Sequence, residues 1–214
     1  MNDEKLMKLY IDEVLTKGER PKSVYQFAKQ HQMDEAEFYG FYSSFDAIER
    51  SFFTVLMVKT LEVLHKTKEY KDYEAKDKLL SFYYTFFENL KANRSFVLFL
   101  LKESTLPLQN LSKLSDLRTH FLEYIEAIGI DTVNIQQKEV QKIQQKAQKE
   151  GAWLQFLSIL KFWLNDDSKD FEKTDVFIEK SIDIGFEFFD ANRLNKLLDF
   201  GKFLFKEGKR SFFE

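Results

Sequence analysis

Residues 32–49 read QMDEAEFYGFYSSFDAIE, and the fold turns on how this stretch is parsed. Asp34 stands where a helix N-cap belongs, and Glu37, three residues on, has capping-box spacing. Phe38 and Phe41 then fall on one face of a short helix. Ser43 or Ser44 opens a longer helix. Its apolar positions Ile48, Phe52, Val55, Leu56, Leu61 and Leu64 recur at three and four and carry it to about residue 67. Asp34, Glu35, Glu37, Asp46 and Glu49 all lie in this stretch, which has no Lys or Arg.

Upstream, Leu6, Leu9, Tyr10 and Val14 mark one face of a helix over 4–17, which KGERPK ends. Ser23 caps a short helix with Gln26 at the box position and Val24, Phe27 and Ala28 turned inward; HQM is the turn. Two helical segments joined by a tight turn, with an aromatic close, have helix-turn-helix spacing. Downstream, 73–93 and 94–104 predict two more helices. Pro107 interrupts the pattern, and KLSDLRTHFLEYIEAIG resumes it. Residues 134–149, rich in Gln and Lys, predict an exposed helix or ordered loop. GAWLQFLSILKFWLNDD is apolar almost all round, and KTDVFIEKSIDIGFEFFDAN and RLNKLLDFGKFLFKEGK close the chain. Strand alternation is absent. The expectation is an all-α fold of about nine or ten helices. A three-helix head over 1–45 leads into a larger helical body over 46–214 through a shared long helix.

Composition narrows the function classes. The chain has 214 residues, 44% of them hydrophobic, so a substantial core is within reach. Its 2 Pro and 7 Gly leave few turn residues and favour long helices, while 24 Phe supply either a core or the walls of an apolar cavity. With no cysteine, disulfides, thiolate metal sites and cysteine catalysis are excluded, which fits a reducing cytosol. MNDEKLMKLY lacks the apolar run of a secretory signal, and FVLFLL at 96–101 is too short to span a bilayer. A cytoplasmic protein without a membrane span is expected. His31, His65 and His120 lie far apart, and no Ser–His–acid set or Gly-rich phosphate loop stands out. Neither a metal, a cofactor nor enzymatic activity is expected.

The wording SVYQFAKQHQMDEAEFYGFYSSFDAI resembles the helix-turn-helix head of the tetracycline-repressor (TetR) family of bacterial regulators. The matching residues are Ser23, Val24, Phe27, Ala28, Tyr39, Tyr42, Ser44 and Ile48. Farther on, SILKFWLNDDSKDFEKTD looks like a Bacteroidetes-type subgroup. The resemblance implies a dimeric DNA-binding repressor that responds to a small molecule held in its body. On the DNA side it implies Lys22, Ser23, Lys29, Glu35, Glu37, Tyr39 and Ser44. For an effector cavity it implies some of Phe82, Phe86, Phe99, Phe121 and Phe156. Nothing polar is placed to recognise a charged ligand, so the occupant should be apolar, such as a fatty acid or isoprenoid. For a homodimer, WLQFLSILKFWL at 153–164 is apolar on too many sides for a monomer. FIEKSIDIGFEFF at 177–189 lies beside it, which makes Phe162, Trp163, Phe186 and Phe189 the interface candidates.

The departures from the family pattern sit where DNA would be read. Gln32 replaces the turn glycine expected before Met33, and Phe45 replaces a phosphate-gripping Lys. The recognition helix reads Asp34, Glu35, Ala36, Glu37. The first 50 residues hold seven Lys or Arg against ten Asp or Glu, a balance of −3 that equals the formal charge of the whole chain. Since neutralised phosphates supply much of DNA affinity, a weak head is expected. The alternative is a lipid or isoprenoid carrier, or an interaction protein, that keeps the fold without binding DNA. The lipid-binding accessory protein of ubiquinone biosynthesis is similar in fold and has that role.

Overall fold

Asn2 starts the first helix by accepting the Lys5 N–H at 2.8 Å, and Asp3 and Glu4 complement its positive end. This helix, α1 (Asp3–Lys17), stops at Gly18, whose φ of 70° takes the left-handed conformation a helix end needs. In α2 (Val24–Gln30) the Ser23 hydroxyl caps by accepting the Gln26 N–H at 3.2 Å. In α4 (Phe45–Lys66) Ser44 does the same for Ala47, also at 3.2 Å, which decides between the two candidate serines. Between them lies α3 (Glu35–Tyr39). Asp34 holds its N-cap position with extended backbone, but its side chain makes no capping bond, contrary to the sequence expectation.

The computed structural model describes residues 2–101, 111–130 and 138–189, the side chains of 138–141, 143, 188 and 189 excepted. The later helices are α5 (Ala75–Ala92), α6 (Arg94–Leu101), α7 (Ser115–Ala127), α8 (Lys138–Asn165) and α9 (Glu172–Phe189). Among the described residues there is no strand, so the fold is all-α, as the periodicity predicts. No described helix is long and apolar enough to cross a membrane. Pro107 and RLNKLLDFGKFLFKEGK lie outside the described residues.

One boundary differs from the reading of the sequence. The described part of the Gln- and Lys-rich segment and GAWLQFLSILKFWLN form a single helix of 28 residues that runs through Gly151. Its apolar half then sorts by face. Trp153, Phe156, Ile159, Leu160 and Trp163 are buried, whereas Leu154 is 62% and Phe162 36% exposed.

The chain forms two compact units: Met1–Lys71 with Phe82–Phe121, and Asp72–Ser81 with Leu122–Glu214. Two aromatic groupings of the first bear on the candidate sites. Tyr10, Phe27, Phe38 and Phe45 make the head core. Phe82, Tyr83, Phe86 and Phe121 make the other, with Phe82 and Phe86 stacked at 5.5 Å. The second unit is built on the α8–α9 pair, around buried Trp153, Phe156, Trp163, Ile178 and Ile182.

Candidate functional site

The head's two short helices meet through a strained turn. Gln32 sits at φ 55°, in the left-handed region where a family glycine was expected, and no Cβ-free residue relieves it. The turn is held from both sides. His31 packs its ring 4.6 Å from Phe27 and bonds Glu13 on α1 through Nε2 at 2.7 Å. The Met33 N–H closes back on the Ala28 carbonyl at 3.0 Å. Glu13 also takes the Lys17 ammonium at 2.6 Å, so this cation is committed inside the head.

Phe45 explains itself in three dimensions. At the first turn of α4 it stacks on Tyr10 at 5.1 Å and meets Phe27 and Phe38 edge-on at 5.7 and 5.5 Å. The ring that stands in place of a phosphate-gripping Lys is therefore a structural member of the head core. One turn along, Glu49 is wholly buried and is the residue that sequence reasoning missed. It accepts the Tyr10 hydroxyl at 2.7 Å, pairs with Arg20, and lies 3.3 Å from the Lys113 ammonium. Lys113 also donates to the Leu100 carbonyl at 2.9 Å. The available signal was an acid one position from Ile48, on the apolar face of α4.

This cluster sets the local electrostatics. Burial, reinforced by the Glu49 charge, pushes the Tyr10 hydroxyl well above the ordinary tyrosine value. Burial works against the Arg20 guanidinium, but Glu49 outweighs it and the group is held more firmly cationic than usual. Arg20 also meets Asp46 at 3.0 Å. With both carboxylates upon it, Arg20 is not a free phosphate ligand.

The DNA-side candidates are brought to the surface of one small region. Lys22, Ser23, Lys29, Glu35 and Glu37 are exposed, Tyr39 is 52% exposed, and Ser44 is half-buried in its capping role. Among the described residues Lys22 and Lys29 form no ion pair, so both ammonium groups are available to an anion. Tyr39 leans its ring edge on Phe38 at 5.5 Å and reaches Glu35 only at 3.5 Å. Phe41, read as an inward position, is 39% exposed, because α3 ends at Tyr39 and the chain turns before a second inward residue is reached. Tyr25 is also 58% exposed. Chemically, the surface offers two exposed cations, tyrosine hydroxyls, and carboxylates able to accept from a cytosine amino group.

The body candidates divide between the units. Phe82, Phe86, Phe99 and Phe121 belong to the first and Phe156 to the second. Phe82, Phe86, Phe121 and Phe156 are all 0% exposed, and Phe99 stacks on Phe96 at 6.4 Å. Of the interface candidates, Phe162 is exposed and stacks on Phe177 with centroids 4.6 Å apart. Phe186 is half-buried. Trp163 turns inward: it is 1% exposed and packs against Phe171, so its ring serves its own unit's core. The side chain of Phe189 lies outside the described residues.

A strained corner joins α8 to α9. Asp166 is 7% exposed; one carboxylate oxygen accepts the Ser168 N–H and hydroxyl at 2.9 and 2.6 Å. The other accepts the Thr174 N–H and hydroxyl at 3.0 and 2.6 Å. Burial opposes its charge, but these four bonds prevail and hold its pKa at about 2. Asp170 and Phe171 both take positive φ, 60° and 63°, within this corner. Among the described residues no group of His, Asp and Glu is arranged to hold a metal ion.

A family model described as Tetracyclin repressor-like, C-terminal domain, matches residues 78–204, more than half of the chain. No curated protein and no solved structure matches it.

Proposed function

The chain belongs to the tetracycline repressor-like family, and from that premise we propose that it is a dimeric, DNA-binding repressor that responds to an apolar small molecule. Residues 1–45 are the reading head and 46–214 the ligand-binding and dimerising body. The reading assigns it no reaction, and places it in the cytoplasm, where DNA is. The observation that carries it is the head. A Ser23-capped α2 and an exposed α3 are joined by the left-handed Gln32 turn and rest on the Tyr10, Phe27, Phe38 and Phe45 core. That is the form in which a recognition helix is offered to a major groove. Lys22, Lys29, Ser23, Ser44 and Tyr39 are then the phosphate contacts, and Glu35 and Glu37 face the bases. In the body, Phe162 with Phe177, Phe186 and Phe189 form the dimer face. For the effector side the candidates are some of Phe82, Phe86, Phe99 and Phe121 in the first unit, or Phe156 in the second. SILKFWLNDDSKDFEKTD aligns the chain with the Bacteroidetes-type subgroup.

The test is a gel shift of the purified protein against the DNA upstream of its own gene. A specific, competitor-resistant shift supports the reading; its absence across that region at low salt rejects it.

One observation favours a second reading, a lipid or isoprenoid carrier that keeps the fold. In the head Lys17 and Arg20 are spent on Glu13, Glu49 and Asp46, while Asp34, Glu35 and Glu37 stay at the surface. Protein that binds lipid but no DNA would decide for this alternative.

A further inference from the structure

A pocket of about 340 Å³ lies in the second unit, walled by α8 and α9 with Leu79 and Ile130. Two glycines explain why it is open. Gly151 on α8 and Gly185 on α9 both line it, and neither places a side chain in the space. At Gly185 a Cβ would stand 3.2 Å from the Gln155 amide nitrogen. Instead that amide crosses the glycine and donates to the Ser181 carbonyl at 2.7 Å. The volume is within the range of roughly 300–1,000 Å³ usual for small-molecule sites.

The polar content of the wall is specific. Gln148 lines the pocket, is 7% exposed, and has no hydrogen-bond partner among the described residues. One turn earlier on the same face of α8, the Gln144 side-chain oxygen is buried without a partner. Buried amides are nearly always hydrogen-bonded, because leaving one unpaired costs free energy on every folding event. Gln155 also lines it, but its amide nitrogen is taken up by the Ser181 carbonyl; the remaining lining residues described are apolar or small, and none carries a charge. An ionised carboxylate entering such a wall would lose its water and gain no countercharge. A hydroxyl, amide or ketone would lose far less, and Gln148 can both donate to it and accept from it.

We infer that this pocket binds a neutral single-chain amphiphile, its hydrocarbon against Leu79 and Ile130 and its one polar group on the Gln148 amide. This rests on the effector-responsive reading above and narrows its ligand, since fatty acids in ionised form are excluded. It places that ligand between α8 and α9 and not at the effector-side Phe candidates, none of which lines the pocket.

The test uses the full chain without DNA, with N-phenylnaphthylamine as a fluorescent reporter displaced by dodecanol, dodecanamide or dodecanoate at neutral pH. The reporter brightens on binding. Dodecanol and dodecanamide displace it at concentrations about tenfold or more below dodecanoate. In Gln148→Leu the reporter still binds, but the preference of the alcohol over the carboxylate disappears. Gly151→Leu fills the pocket while replacing a mid-helix glycine by a better helix former. It lowers reporter affinity about tenfold or more, with helix content and melting temperature kept. Should that variant fail to fold, the Gln148→Leu comparison decides alone. Equal displacement by dodecanoate, unchanged binding in folded Gly151→Leu, or no reporter binding to the parent protein overturns the inference. The last result is also what a second copy of the chain seated in the pocket would give. Because every arm omits DNA, failure of the repressor reading in the gel shift leaves these results standing, and the reverse holds too.

Discussion

The Tyr10 hydroxyl donates to Glu49 at 2.7 Å, and this bond joins α1 to a carboxylate that is 0% exposed on α4. Arg20 and Lys113 converge on the same group from two other segments of the first unit. A buried charge so placed is stable only while its partners remain. Glu49→Ala therefore leaves Lys113 without its carboxylate and Arg20 with only the exposed Asp46. Unfolding in urea should show a loss of about 3 kcal/mol or more. A loss under about 1 kcal/mol would mean that water or a rearranged Asp46 replaces the carboxylate.

Tyrosine ionisation gives the same cluster a pH signature. Burial raises the folded-state pKa of Tyr10, and of Tyr83 in the neighbouring aromatic cluster, above the unfolded value near 10. A group raised on folding contributes stability that is full below its unfolded pKa and fades as pH climbs toward the folded one. Melting temperature should thus hold to about pH 9.5 and fall steadily above it. Tyr10→Phe should flatten that fall. An identical alkaline slope in the variant would remove Tyr10 from the account.

Gln32 occupies a backbone conformation that costs a side-chain-bearing residue about 1–2 kcal/mol, while glycine adopts it freely. Glycine loses more chain entropy on folding, which returns part of that gain. Gln32→Gly should raise the stability by about 1 kcal/mol, measured by denaturant unfolding, whereas Gln32→Ala should leave it within about 0.5 kcal/mol. Destabilisation by the glycine would show that the Gln32 side chain holds the turn.

Asp166 predicts behaviour at the acid end. Its folded pKa of about 2 lies below the ordinary aspartate value of 3.8, so the stabilisation is full above about pH 4 and is lost as pH falls through 2. Asp166→Asn should cost about 1–2 kcal/mol at neutral pH and only a small part of that at pH 2. The figure stays modest because exposed Asp167, Lys169 and Asp170 surround the corner, and solvent there screens the charge. Equal losses at both pH values would point to packing instead of charge.

For the head, the uncommitted cations are few, so affinity for generic duplex should be low and its salt dependence shallow. Lys22→Ala and Lys29→Ala should each weaken binding on all sequences and reduce the salt slope by about one. Glu35→Gln or Glu37→Gln should strengthen non-specific binding. Fluorescence anisotropy across a salt series measures both. A steep slope with tight generic binding would contradict the role given to these acids.

The local code of this chain was legible in its residues. Ser23 and Ser44 cap as their positions predict, Gln32 takes the left-handed turn, and three-and-four spacing yields helices with no strand among the described residues. These are contacts across a few residues, which neighbouring sequence determines. Tertiary structure alone decided which face each helix buries and which charges meet. Periodicity put Trp163 and Phe162 side by side without saying that one would face the core and the other solvent. Phe45 read as a missing phosphate ligand until the stack on Tyr10 made it core. Arg20 counted as one more cation of the head until Glu49, 29 positions away, took it. Even the Asp34 cap failed, because cap residue type does not by itself aim the side chain at its own helix. The charges within a helical turn are set by the sequence, while the partners that neutralise them are set by how distant segments pack.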